Sequence, residues 1–328
     1  MTQLGELREN YSLFEAAGID LVVVSYDDKL ALKAYIDATA APFIMLSDND
    51  SKVIRQYGIL NETVLPGDIP IYGIPYPGSY VADEQGRVIY KTFLESYKRR
   101  ESPQVLIDSA LGQVSLGDSE TSVQGGDEDI RVRVGLLGGA IKQGAQRRVV
   151  VRFEMSPGLH LYGKPAPAGM IPVEIKVNGP DGLVVQQPIL PATKPLWLQE
   201  LNLELAVWTG QLDVQIPIYA LSKVASELKP LTVTVLTLEI SVRYQACNQV
   251  TCLIPRTEHF TLTVPVDVID VPQLGLFAGN GQKTLGFKAA PHLMRLVWRI
   301  FRMNPLAFFK GIARQRKRIR KAKNRRFS

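Results

Sequence analysis

Cys247 and Cys252 are the two cysteines of a 328-residue chain and stand five positions apart in YQACNQVTC, residues 244–252. A pair at this spacing can serve as a covalent staple, as half of a tetrahedral metal site, or as a couple that exchanges electrons with another thiol. Two thiols at i and i+5 reach the Cα separation of about 4.4–6.8 Å that a disulfide needs if the chain between them turns back. Asn248 and Gln249 suit such a turn. A bridge closing so short a loop removes little chain entropy, which makes stapling a poor sole purpose. Zinc asks for four ligands, and His160, His259 and His292 show no ligand spacing that would complete the set. Exchange asks for a thiolate that can reach an outside disulfide, with polar or cationic neighbours that favour its formation. His160, in GLHLYG, reads as a packed or turn histidine, Tyr162 and Tyr244 as core or rim aromatics, and Asp127 and Asp129 as solvated linker carboxylates.

The elements that position this pair fall into a multidomain chain. At 328 residues with 46% hydrophobic content, two or three folded units are expected. The net charge of +6 is unevenly spread: residues 271–328 hold fifteen Lys or Arg and no Asp or Glu, leaving 23 basic against 32 acidic residues in positions 1–270. The basic character therefore belongs to a tail. No stretch approaches the roughly 18 uncharged apolar residues of a spanning helix. MTQLGELREN lacks an apolar run after a basic start, so no secretory signal is expected in the chain as given.

Residues 1–112 alternate helix and strand patterns. Leu4, Leu7, Tyr11 and Phe14 follow helical spacing, with Gly18 as a C-terminal cap. IDLVVVSYD is a continuous apolar run, expected as a strand buried on both faces. KLALKAYIDAT reads as helix, PFIMLSD as strand, and DSKVIRQYG as helix with Asp50 as its N-cap. GSYVADEQGRVIYKTFL reads as a hairpin turning at residues 83–86, and a last helix lies near Ser102–Leu111. PFIMLSDNDSKVIRQYGIL followed by YGIPYPGSYVADEQGRVIYKTFLESYKRR resembles the peroxiredoxin and thiol-specific antioxidant (AhpC/TSA, redoxin) group of thioredoxin-like proteins over about 100 residues. The resemblance implies a cis-proline at Pro77, beside the position of the family's reactive thiol.

That resemblance also implies a first strand and a cysteine loop at the N-terminus of the following helix, where the helix dipole lowers a thiol's pKa. Residues 1–246 contain no cysteine. The missing strand would lie between DLVVVSY and GSYVAD, at the centre of the sheet. A true start upstream is favoured over a degenerate domain kept for binding, since losing a central strand removes much of a sheet's bonding and core.

Residues 113–129 read as a linker and 130–270 as an all-β, immunoglobulin-like sandwich. Its expected strands are IRVRVGLL, RRVVVRFEM, IPVEIKV, GLVVQQPIL, LDVQIPIYA, LTVTVLTLEISVRYQA and EHFTLTVPVDVI. PGLHLYGKP, residues 157–165, and YQACNQVTCLIP, residues 244–255, resemble the N-terminal domain of the disulfide-interchange reductase DsbD and its relatives. By that resemblance Cys247 and Cys252 form the redox pair and pass electrons to thioredoxin-like or other thiol proteins. No cofactor is expected.

After a second linker, 271–289, residues 290–328 read as a basic amphipathic helical tail. HLMRLVWRIFRM places Arg295, Arg299 and Arg302 at i, i+4 and i+7 among apolar residues. Pro305 interrupts the helix and LAFFKGIA resumes it. RQRKRIRKAKNRRFS then supplies nine basic residues in fifteen. With Lys310, Arg316, Lys317 and Arg318, these arginines are the candidate contacts to an anionic membrane surface, ahead of nucleic acid, for which no accompanying fold is read. Two function classes follow. One is a thiol–disulfide or peroxide-linked oxidoreductase without its redoxin cysteine, and the other a non-catalytic module held at an anionic surface by its tail. The compartment is cytoplasmic or peripheral membrane for the chain as given, and extracytoplasmic if a signal lies upstream.

Overall fold

The computed structural model describes residues 2–65, 72–94, 99–116, 121–166, 169–198, 203–225, 231–248, 250–268 and 289–324. The first region runs α1 (Thr2–Glu9), α2 (Tyr11–Ala16), β1 (Val22–Ser25), α3 (Lys29–Thr39), β2 (Ile44–Ser47), α4 (Lys52–Gln56), β3 (Gly78–Ala82), β4 (Val88–Phe93) and α5 (Pro103–Leu111). This is the expected order of elements, with the first helix divided in two. Local chemistry sets the boundaries. The Asp28 carboxylate accepts from Ala31 N–H at the start of α3, and Ser102 caps α5, whose first residue, Pro103, has no N–H to leave unpaired. At α4 the expected cap, Asp50, is replaced by Asp48, whose two oxygens accept from Lys52 and Ile54 N–H at 2.9 and 2.8 Å. Ser51 sits between them at φ 53° with its hydroxyl turned away to Gly73 O, so the chain enters the helix under Asp48.

β1 and β2 pair in parallel, Val22 with Ile44 through Ser25 with Ser47, and β3 and β4 form a separate hairpin. Leu7, Phe14, Phe43, Leu106 and Ile107 make the core, and Val23 and Met45 pack onto it from one face of the parallel pair. The other face does not meet the expectation of two-sided burial: Val22, Val24, Ile44 and Leu46 are exposed. Pairing in register puts all four on one side, and no described helix covers that side. Pro77 precedes β3 with a trans bond; the cis peptide among the described residues is Lys164–Pro165. Trans is the lower form of an X–Pro bond by about 0.5–1 kcal/mol unless its surroundings hold the other, and among the described residues β3 pairs only with β4.

The second region contains β5 (Ser122–Gly126), β6 (Ile130–Leu137), β7 (Gln146–Met155), β8 (His160–Tyr162), β9 (Glu174–Asn178), β10 (Leu183–Val185), β11 (Lys194–Leu198), β12 (Leu203–Thr209), β13 (Gln211–Ala220), β14 (Val235–Tyr244), β15 (Ala246–Cys247) and β16 (Arg256–Pro265). They form a five-stranded sheet in the order β10-β13-β7-β6-β5, a three-stranded sheet β16-β14-β9, and a four-stranded sheet β11-β12-β8-β15. Alternate residues of β6, β7, β13, β14 and β16, among them Val134, Val151, Val214, Leu238 and Val264, are fully buried in one core between the first two sheets. That alternation is the two-residue period of a strand with one face toward this core; the other face of β7 is buried as well, where Val150 packs with Val105, Leu116 and Leu137. Residues 122–126 belong to this sheet as β5, paired with β6, and not to the expected linker.

The two regions meet along β7. Arg147, 1% exposed, is ion-paired with Glu6 of α1, and Arg148 donates to Glu101 at 2.7 Å and to the Tyr90 hydroxyl at 3.2 Å. Lys142 reaches Glu9 at 2.9 Å. The backbone of Arg100 bonds to Gly144 O and from Gln146 N–H, carrying the chain along the sheet edge. The chain ends in two helices, α6 (Ala289–Met303) and α7 (Pro305–Asn324). No helix among the described residues is long and apolar enough to cross a membrane. The second expected linker lies largely outside the described residues.

Candidate redox site

β8 and β15 position the two cysteines. Ala246 pairs with Leu161 and Cys247 with His160, which fixes Cys247 on the four-stranded sheet among Tyr162, Leu205 and Val207 at 1% exposure. Asn248 then turns the chain. Its side-chain oxygen accepts from Val250 and Thr251 N–H at 2.8 and 2.7 Å, and its own N–H donates to Thr251 O. Gln249, the other turn residue expected, lies outside the described residues. Cys252 comes back opposite Cys247 in an isolated β-bridge, and the two are joined by a disulfide. Direct opposition across that bridge brings their α-carbons to 3.9 Å, closer than the range expected from spacing alone.

Gln245 locks the returning arm. Its side chain donates to Leu253 O at 3.1 Å and accepts from Ile171 N–H at 3.0 Å, while Leu253 N–H bonds to Ala246 O. The loop is thus tied on both sides, and its two cysteines differ in exposure. Cys247 is buried and Cys252 exposed. Around Cys252 the side chains of Val250 and Ile254 stand 89% and 84% exposed, with Leu253 beside them. These three apolar residues were not singled out from sequence; their signal is an apolar VTCLI run inside a turn, where polar residues would otherwise be expected.

Beneath the pair, His160 Nε2 and the Tyr162 hydroxyl are 3.0 Å apart, their rings edge to face, and the Tyr162 oxygen lies 4.0 Å from Cys252 Sγ. Burial lowers the His160 pKa and raises that of Tyr162, so near neutral pH the imidazole is uncharged and the phenol keeps its proton. His160 is packed, as its sequence context suggests, and Tyr162 is buried. Tyr244 is a core aromatic against Phe153; burial, then the adjacent Glu258 that accepts its hydroxyl proton, raise its pKa. Among the described residues, no cluster of three or more His, Cys, Asp or Glu is placed to hold a metal.

The remaining candidates lie elsewhere. Arg295 and Arg299 both turn to the first region: half-buried Arg295 bonds through Nε to Asp28 at 3.1 Å, and Arg299, 9% exposed, inserts into it. Its Nη1 donates to the carbonyls of Tyr26 and Asn49, and its Nη2 to Tyr72 O at 3.2 Å. Backbone carbonyls can satisfy a buried guanidinium's donors as an outside anion would, and sequence periodicity cannot tell which partner a helix face meets. Arg302, Lys310, Arg316 and Lys317 are exposed, and the side chain of Arg318 lies outside the described residues.

With this geometry in view, comparison with known families divides the chain as its two folds do. Residues 1–91 match the AhpC/TSA family, and residues 138–264 match thiol:disulfide interchange protein DsbD, N-terminal. The cysteine pair falls inside the DsbD-like region. Peroxiredoxin Q of Arabidopsis thaliana is 30% identical over 104 residues, covering 32% of this chain and 43% of that protein. Its Populus jackii counterpart is 30% identical over 105 residues, covering 31% and 46%. The chain therefore spans less than half the length of these two relatives. Among solved structures, the N-terminal periplasmic domain of ScsB from Proteus mirabilis aligns at 10% identity and a TM-score of 0.31, covering 55% of this chain and 60% of that one. The reduced N-terminal domain of DsbD from Neisseria meningitidis aligns at 18% and 0.23, covering 36% and 82%. The chain is thus similar, region by region, to the AhpC/TSA family and to the N-terminal domain of thiol:disulfide interchange protein DsbD.

Proposed function

We propose that the chain exchanges electrons with a thioredoxin-like or other thiol protein through Cys247 and Cys252. The observation that carries this reading is the asymmetry of the disulfide: Cys252 is an exposed residue amid apolar side chains that suit a protein partner, and Cys247 is buried. A partner thiolate attacks Cys252 Sγ, the S–S bond breaks, and Cys247 leaves as thiolate and takes up a proton. The partner's second thiol loses its proton and attacks the partner sulfur of the mixed disulfide, releasing Cys252. Two electrons pass to Cys247 and Cys252, and the partner dithiol becomes a disulfide; run backward, the same steps reduce a partner. Tyr162 supports the reading as a protonated hydroxyl beside Cys252, able to donate to a developing thiolate.

The test uses a reduced thioredoxin as probe. Mixed with the oxidised chain, it is expected to lose its two thiols stoichiometrically as Cys247 and Cys252 become alkylatable, and Cys252→Ala is expected to abolish the transfer. Retention of both probe thiols would refute the proposal. A second reading, a non-catalytic module held at an anionic surface, is favoured by the fifteen basic and no acidic residues of positions 271–328. It concerns a different part of the chain and is compatible with the first.

A further inference from the structure

A helix of a water-soluble protein normally buries its apolar stripe and turns its charges outward. α6 does the reverse. Its Arg299 guanidinium is buried at the carboxyl ends of β1 and β2, held by the carbonyls of Tyr26, Asn49 and Tyr72 and facing Asp27, Asp28 and Asp50, while Arg295 pairs with Asp28 one turn earlier. Among the described side chains of α6, Ile300, at 1% exposure, is the other buried one. The apolar residues of the opposite side are left outward: Met294 is 69% and Trp298 60% exposed. Polar anchoring inward has freed a hydrophobic face.

That face continues across the Pro305 corner. Trp298 stacks on Phe301 with ring centres 5.4 Å apart, and Phe301 meets Phe308 and Phe309 edge-on at 5.3 and 6.0 Å. Phe309 is 60% exposed, and Leu306, three residues before it, 77%. Trp298 and Phe309 therefore share one surface through Phe301, extended by Met294 one turn up α6 and Leu306 one turn down α7. Exposed cations, Arg302 and Lys310 and then Arg316 and Lys317, accompany it, and residues 271–328 contain no carboxylate side chain. Apolar and aromatic side chains grouped with cations are the two components of interfacial membrane binding. Nucleic acid would use the charges and leave the apolar side chains in water. A second copy would bring an equally basic tail to the same place.

We infer that the outward face of α6 and the start of α7 seats an anionic lipid bilayer, with Met294, Trp298, Leu306 and Phe309 entering the headgroup boundary, while Arg295 and Arg299 hold the redoxin-like region against α6. The inference rests on the reading of the tail as a surface contact and adds which side chains insert. Binding would then fix the orientation of the redoxin-like region relative to the membrane.

The full chain is mixed with phosphatidylcholine vesicles and with vesicles containing phosphatidylglycerol, and sedimented. Selective binding to the anionic vesicles is expected, weakened about tenfold or more in the Trp298→Glu/Phe309→Glu double variant. Both side chains are exposed, so that variant should keep its circular dichroism and its thiol chemistry. Quenching of tryptophan emission by brominated lipid is expected and should disappear in Trp298→Phe, which still binds. Absence of binding to either vesicle overturns both the inference and the surface reading of the tail. Anionic binding that the double variant retains in full overturns the inference alone, because the charges then act without insertion. Self-association abolished by the double variant, with no vesicle binding, assigns the face to a second copy and overturns the inference.

Discussion

Replacing Glu6 by Gln at the junction of the two regions should destabilise the chain far more than loss of a surface ion pair. Arg147 is 1% exposed and Glu6 3%, and with Gln at position 6 the guanidinium keeps only neutral acceptors there, the amide oxygen and the carbonyls of Ala140 and Gln146, and loses the carboxylate charge. A buried charge stripped of its partner costs about 3–5 kcal/mol, against about 0–1 kcal/mol for an exposed pair. With a urea dependence of about 2–3 kcal/mol per M, that cost moves the unfolding midpoint down by roughly 1–2 M. Urea unfolding followed by circular dichroism measures the shift. The double variant Glu6→Leu/Arg147→Met, which removes both charges and retains most of the volume, should recover most of it, since well-packed apolar replacements of buried pairs are near neutral. A midpoint shift under about 0.3 M for Glu6→Gln would refute the reasoning, because it would place the pair in water and the two regions apart.

Other outcomes follow from the same physical picture. His160 titrates lower in the folded chain than unfolded, so the unfolded state binds more protons just below the ordinary histidine value; stability should fall as pH drops through about 6.5. Urea midpoints at pH 7.5 and 5.5 should show that fall, with a smaller difference in His160→Gln. Asn248→Ala removes the acceptor of two turn N–H groups and should destabilise by about 1 kcal/mol while leaving the disulfide intact, checked by unfolding and by mass. Tyr162→Phe deletes the hydroxyl beside Cys252 and should slow exchange with reduced thioredoxin several-fold without changing its stoichiometry.

What sequence conveyed and what it withheld divide along physical lines. β6 and β13 were legible nearly to the residue, because long alternating strands with one buried face write their period into the chain. β8 is three buried residues with no alternation, β11 carries a proline and a lysine, and SVQGG hid β5 behind turn-forming glycines; pairing with longer neighbours makes these strands. The cysteine pair was visible as a pair, and Asn248 as its turn. Which cysteine is exposed was not, since that depends on Cys247 pairing with His160 of β8, 87 residues away. The helix of the tail was likewise readable from its spacing. Its inverted orientation was not, because the carbonyls of Tyr26 and Asn49 just past β1 and β2 and of Tyr72 ahead of β3, more than 200 residues distant, decide which face turns inward.

The central claim, a protein-reactive disulfide with one sulfur open to attack, is tested most directly by trapping. Cys247→Ser and Cys252→Ser chains are each incubated with a thioredoxin whose resolving cysteine has been replaced and whose remaining thiol is activated as a mixed disulfide with thionitrobenzoate. The account predicts a covalent complex that forms rapidly with Cys247→Ser, through the exposed Cys252, and much more slowly with Cys252→Ser, whose remaining thiol is buried. Equal rates for the two variants, or no complex with either, would contradict it.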